Sequence, residues 1–192
     1  MTARWSTGAL RCGGAVLLAV GAVAAHPPLA QAQDIGATAP DFTAPYVADS
    51  AAPPWHFWAR DSTPVTILSF WATWCKPCET LHPWMEAMAR NYATRGVRVV
   101  TINMREPADS IRRVLAADTG SVTLDLLDPD GQLTQLYTVA AVPTTLLVAP
   151  GNVVLRRFEG VAAAMSGIEP VLDRMLGPAT TAAGPPSRGG TE

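Results

Sequence analysis

From residue 65 onward, short apolar runs alternate with segments whose apolar residues recur every three or four positions. Residues 65–70 form a continuous apolar run broken only by Thr66 and Ser69, which predicts a strand buried on both faces. After Cys75, the residues Leu81, Met85, Met88 and Tyr92 make one face of a helix that Gly96 ends. Pro83 falls inside that helix and predicts a kink. Residues 97–102 read as a second buried strand. Residues 108–117 read as a helix with Ile111, Val114 and Leu115 on one face, and 122–127 as a third strand. Asp128-Pro129-Asp130-Gly131 is a turn, with Pro presetting φ and Gly accepting φ > 0. A short helix through Leu133 and Leu136 leads to Tyr137. Residues 144–148 and 153–158 are strands joined across Pro150-Gly151-Asn152 as a hairpin. A last helix over 168–176 is stopped by Gly177-Pro178. Strands alternating with helices and closing on a hairpin describe an α/β domain with a central mixed sheet.

The N-terminal third differs. Residues 35–42 lead into a short strand expected over 42–47. Pro53 and Pro54 then precede Trp55-His56-Phe57-Trp58, expected to be a loop or hairpin packing its rings on the domain edge. The alternative is an apolar contact patch for a partner. His56 is expected to be a surface or hydrogen-bonded histidine and not a ligand. Residues 1–32 read as an export signal. Arg4 and Arg11 precede a short apolar run over 15–25, and Ala30-Gln31-Ala32 is a cleavage site. An uncleaved anchor that tethers the domain to the membrane is the alternative. The mature domain then spans 33–177, and 178–192, made of Ala, Gly, Pro, Ser and Thr with two charges, is expected to be a disordered tail.

Composition narrows the class further. At 192 residues and 48% hydrophobic, the chain can bury a substantial core and is not a disordered protein. Net charge is −2 overall, and only Arg4 and Arg11 are charged within residues 1–32. The remainder has 12 basic and 16 acidic residues and no basic run, so nucleic acid is not an expected partner.

The candidate chemistry lies in Trp71-Ala72-Thr73-Trp74-Cys75-Lys76-Pro77-Cys78, between the first buried strand and the helix. A helix opening there turns unpaired N–H groups and its positive end toward Cys75, which favours thiolate over thiol. Cys78 lies one turn further in, where its sulfur can meet that of Cys75, and Pro77 fits the first turn without costing a hydrogen bond. The pair is suited to cycling between dithiol and disulfide. A zinc site would need two more ligands. With Cys12 and His26 in the signal, only His56 and His82 remain, at unsuitable spacing. A purely structural disulfide over so short a loop would stabilise little.

Trp71 to Cys78 resembles the active-site signature of thioredoxin-like proteins. Asp128-Pro129-Asp130-Gly131, Tyr137 and Val142-Pro143-Thr144-Thr145 resemble the C-terminal half of the exported TlpA/ResA subfamily. The likeness covers about residues 35–176. It implies a thioredoxin-like fold with an N-terminal strand extension and a helix-strand insert, here residues 108–127. It implies a thiol-disulfide oxidoreductase with no cofactor or bound metal. Cys75 would attack, Cys78 would resolve, and Pro143 would be cis and face the disulfide. Trp74, Val142 and Thr144 would border the bound substrate, with the Val142 backbone pairing with an extended segment. The partners implied are exported proteins with reducible cysteine pairs, including apocytochromes c and copper-site proteins of oxidases, and a membrane electron donor of the DsbD/CcdA type. A monomer in the periplasm or another extracytoplasmic space is expected.

Two departures from the pattern stand out. Plain thioredoxins carry a buried Asp where this chain has Ser69, and many exported relatives a Glu where it has Leu81. Glu79 and His82 are nearby but are expected on different faces of the helix. This leaves a water, Glu79 or Lys76 as acceptor for the Cys78 proton. Alternative functions are a disulfide-donating oxidase and a copper-binding chaperone using Cys75, Cys78 and His82 or a nearby Met. A peroxidase is weaker. Ala39-Pro40-Asp41-Phe42 is shared with peroxiredoxins, but Cys75 lacks the upstream Pro and Thr.

Overall fold

The structure is a computed structural model that describes residues 35–58, 65–116 and 120–177. The expected export signal and the C-terminal tail lie outside the described residues. Seven strands occur there: β1 (Thr43–Ala44), β2 (Trp55–His56), β3 (Val65–Trp71), β4 (Val97–Met104), β5 (Leu124–Asp128), β6 (Thr144–Ala149) and β7 (Val153–Glu159). The α-helices are α1 (Lys76–Tyr92), α2 (Ala108–Leu115), α3 (Gln132–Leu136) and α4 (Val161–Leu176).

Five strands form one mixed sheet in the order β5-β4-β3-β6-β7. β3, β4 and β5 are parallel, and β6 runs antiparallel to its neighbours β3 and β7. Helices α1 and α2 supply the crossovers that parallel neighbours require. β3 is buried along its whole length, as its apolar run predicts.

Each face of the sheet has its own core. On one, Val65, Ile67, Val97, Val99 and Leu147 meet Leu81, Met85, Met88 and Tyr92 of α1 and Ile168 and Leu172 of α4. Met85 and Met88 are 1% exposed and fill this core. On the other, Leu68, Phe70, Val100, Ile102 and Leu146 meet Leu133 and Tyr137 and an aromatic group of Phe42, Trp55 and Phe57. Phe42 stacks on Phe57 at 5.1 Å and meets Tyr137 edge-on at 5.8 Å. The Tyr137 hydroxyl donates to Pro40 O at 2.6 Å, and burial pushes its ionisation well above the ordinary phenol range.

The N-terminal extension is therefore structural floor. Trp55 and Phe57 are 5% exposed, which removes them from any contact patch and leaves only Trp58 at the surface. The strand expected over 42–47 shortens to β1, paired with β2 as a hairpin. Beyond β1 the chain turns to β5: Tyr46 bridges Leu126, and Val47 N–H donates to Asp125 O. At its other end Thr38 bridges Val153 of β7. One segment thus covers both outer edges of the sheet, which would otherwise offer unpaired backbone groups to another chain. The Asp41 carboxylate clasps this segment, accepting from the Phe42 and Trp58 N–H groups and pairing with His56 Nε2 at 2.6 Å. Burial opposes its ionisation, but these partners outweigh it and pull its pKa below the usual range.

Two further boundaries differ from expectation, those of α4 and α2. α4 begins at Val161, not at 168. Gly167 is no helix break: a Cβ there would lie 2.3 Å from the Phe158 ring, so glycine is what lets α4 close on β7. α1 continues through Pro83 as one helix. α2 ends at Leu115, and of its expected apolar face Ile111 is fully buried whereas Val114 is 50% exposed. No helix among the described residues is long and apolar enough to cross a membrane.

Candidate active site

The C-terminal end of β3 delivers Trp71 and Ala72 to the loop that opens α1. Cys75 is the N-cap of that helix, with extended backbone, and its Sγ accepts from Cys78 N–H at 3.2 Å. Pro77 occupies the first turn. The two sulfurs form a disulfide with their Cα atoms 5.3 Å apart. Both cysteines are 3% exposed, so exposure does not distinguish them; position at the helix end does. They pack with Trp71, Ala72, Ile111 and Leu127, against which Val142 rests.

The Val142–Pro143 peptide is cis. Pro143 is buried and lines the same small cavity as Cys78, which brings the residues implied by the resemblance together from sequence positions 65 apart. Trp74 projects into solvent beside them, 69% exposed. Thr144 is placed differently from a substrate contact. Its side chain is 1% exposed and its hydroxyl donates to Ala141 O at 2.7 Å, so it shapes the bend. Arg157 donates to Tyr137 O and Thr138 O and fixes the approach to that bend. Among the described residues no three His, Cys, Asp or Glu side chains gather as metal ligands.

A cleft of about 380 Å³ opens between α1 and α2. Cys78, Glu79, His82 and Pro83 line one wall, and Val114 and Leu115 the other. Glu79 and His82, three apart on α1, line this one cleft together, contrary to expectation, and His82, four residues past Cys78, lies over it. Glu79 is ion-paired with Lys76 at the rim, and the His82 ring lies 5.6 Å from that of Trp71.

Sequence reasoning missed Glu106. Its carboxylate accepts from Thr73 N–H at 2.7 Å, from the Thr73 hydroxyl, and from Asn103 Nδ2 at 2.9 Å. It ties the cysteine loop to the end of β4. Glu106→Ala leaves Thr73 N–H and Asn103 Nδ2 without an acceptor and is expected to cost about 2 kcal/mol, read as a lower urea midpoint. Thiol reactivity at Cys75 should fall with it, whereas Glu106→Gln, keeping one acceptor, should lose less of both.

Residues 35–157 match the AhpC/TSA family. The thiol-disulfide oxidoreductase ResA of Geobacillus kaustophilus (strain HTA426) is 32% identical over 114 residues, 59% of this chain and 63% of the relative. ResA of Bacillus subtilis (strain 168) is 30% identical over 94 residues, 49% of this chain and 52% of the relative. The chain thus spans between half and two thirds of these relatives' length. Among solved structures, a Chlorobium tepidum protein assigned as the thiol:disulfide interchange protein DsbE superposes with TM-score 0.63 at 29% identity, covering 74% of this chain and 95% of that one. With a family match over well over half its length, a thioredoxin-like sheet and a Cys75–Cys78 disulfide opposite Pro143, the chain belongs to the thioredoxin-like AhpC/TSA family.

Proposed function

We propose that this protein is a thiol-disulfide oxidoreductase of the ResA/DsbE type that reduces disulfides in other proteins. The observation that carries the reading is a disulfide at the N-terminus of α1 with Pro143 against Cys78 and the solvent-exposed Trp74 alongside. The ResA relatives, named for this activity, support it.

In the reducing direction, thiolate Cys75 attacks a client disulfide and forms a mixed disulfide, while one client sulfur leaves. Cys78 then attacks Cys75, and the reduced client departs from an oxidised pair. The positive end of α1 favours the Cys75 thiolate in the first step. The backbone of Val142 offers an extended client segment a pairing edge next to the sulfurs.

The work site is extracytoplasmic in this reading, following from the export signal read in residues 1–32. In that oxidising space the pair stays useful as a reductant only if a membrane electron donor of the DsbD/CcdA type resets it. Apocytochromes c and copper-site proteins of oxidases fit the client class of exported proteins with cysteine pairs.

The deciding measurement is the reduction potential of the Cys75–Cys78 pair by equilibration with glutathione buffers. The expected value lies near that of thioredoxin, about −270 mV. A value near about −120 mV would overturn the direction and make the protein a disulfide donor.

A further inference from the structure

The two acid positions of related proteins are vacated here by Ser69 and Leu81, yet Cys78 must still lose a proton before it can attack. Cys78 and His82 line both the α1–α2 cleft and the small cavity beneath the disulfide. They are four residues apart on α1, so their side chains lie one above the other.

Ser69 and Thr101, which wall the same small cavity, belong to a polar row in the face of the sheet that carries α1. Register pairs Thr145 with Ser69, Ser69 with Thr101, and Thr101 with Asp125, and paired positions point to one side of a sheet. The Ser69 and Thr145 hydroxyls are 3.2 Å apart, and the Thr101 hydroxyl donates to Asp125 Oδ1 at 2.6 Å. Two residues earlier on the same face stand Ile67, Val99 and Leu147, all apolar core. A buried polar row in that setting costs stability unless its groups are satisfied. It ends on β5 in Asp125, whose carboxyl burial raises above the usual carboxylate range, with Thr101 and the nearby His82 acting in the opposite sense.

We propose that His82 accepts the Cys78 proton in the resolving step, with Asp125 stabilising the imidazolium that results. This rests on the thiol-disulfide reading above. In the mixed disulfide, the Cys78 thiol passes its proton to the His82 ring. Cys78 Sγ attacks Cys75 Sγ, the Cys75–Cys78 bond forms, and the bond from Cys75 to the client sulfur breaks with its electron pair on the client. The client sulfur takes up a proton from water, and the imidazolium keeps the proton it took from Cys78. The client disulfide gains two electrons and the cysteine pair loses two. When a donor thiolate later opens the disulfide at Cys75, protonated His82 returns the proton to the departing Cys78.

Among the described residues, the titratable groups placed near His82 come from α1 and β5. Glu79 shares its cleft wall and is paired with Lys76. Asp125 stands on β5 and accepts from Thr101, which walls the same small cavity as His82. Glu86 lies one turn along α1, occupied by Arg90, Ser121 and Thr123. α2 presents only Val114 and Leu115 to the cleft.

The test uses the reduced full-length chain and a chromogenic aromatic disulfide, followed by stopped flow across the pH range. One coloured thiolate is released when Cys75 attacks and a second when Cys78 resolves. His82→Gln should leave the first phase unchanged and slow the second about tenfold to a hundredfold near neutral pH. The second-phase pH profile should also lose one ionisation. Asp125→Asn should slow the second phase too, by less than His82→Gln, because the carboxylate that would stabilise the imidazolium is gone. A second phase in His82→Gln with wild-type rate and wild-type profile overturns the proposal. Absence of the first phase in the unaltered protein would instead strike the thiol-disulfide reading itself. Should His82→Gln fold poorly, the unaltered protein carries a second readout. The second phase should slow in heavy water by more than the first, and equal solvent isotope effects on the two phases overturn the proton transfer.

Discussion

Cys75→Ser should abolish disulfide turnover, by roughly a thousandfold or more, because the remaining thiol, Cys78, lies a turn inside α1 and faces the cavity. Cys78→Ser should behave differently. Cys75 can still attack, but without a resolving thiol the mixed disulfide persists, and clients should be recovered as adducts that a small thiol releases. Mass spectrometry of those adducts would also identify the clients. If Cys78→Ser yields no adducts with any exported protein, or Cys75→Ser yields as many, the assignment of attacking and resolving sulfurs fails. The two residues are equally buried at 3%, so the asymmetry rests on placement alone. Cys75 caps the helix, where N–H groups and the dipole converge on its sulfur, while Cys78 lies a turn inside facing the cavity.

The largest loss of stability from a single polar side chain is expected at Asp128. Its side chain is 3% exposed, and its carboxylate accepts from Leu133 N–H at 3.0 Å, Thr134 N–H at 2.8 Å and the Thr134 hydroxyl at 2.6 Å. Those are the donors that a helix as short as α3 cannot satisfy from within. Asp128→Ala leaves them buried without an acceptor and should cost about 3 kcal/mol. In urea this lowers the midpoint by roughly 1 to 2 M at an ordinary slope. Asp128→Asn retains one carbonyl oxygen and should lose about half as much. A midpoint for Asp128→Ala within error of wild type would mean that α3 is held by Leu133 and Tyr137 in the core and not by its cap. Cys75 lies elsewhere in the fold, so its thiol chemistry should survive in the fraction that remains folded.

The turn over 128–131 was legible as a turn, with Gly131 at φ 69° where glycine is favoured. That Asp128 also caps the helix beyond it was not, because the same residue type serves both purposes. The aromatic stretch at 55–58 shows a similar limit. Its composition favours rings packed on the domain edge over a docking patch, and the packing of Phe42, Trp55 and Phe57 under the sheet puts them in the core itself. Gly167 falls just before the helix expected over 168–176 and proves to be a point of close approach inside α4.

What the sequence determined by itself is the set of elements and the redox pair. Periodicity, turn residues and the spacing of Cys75 and Cys78 are local signals, and the helix that follows them is enough to rank the two sulfurs. The tertiary structure alone decided which groups surround those sulfurs. Glu106 reaches Thr73 across 33 residues, and Asp125 joins Ser69 and Thr101 only through the register of three strands. Register is a long-range property: a slip of one residue would turn Asp125 to the opposite face, with every local preference unchanged. The chain therefore announces its chemistry near Cys75, while the proton path for Cys78 emerges only when the strands are aligned.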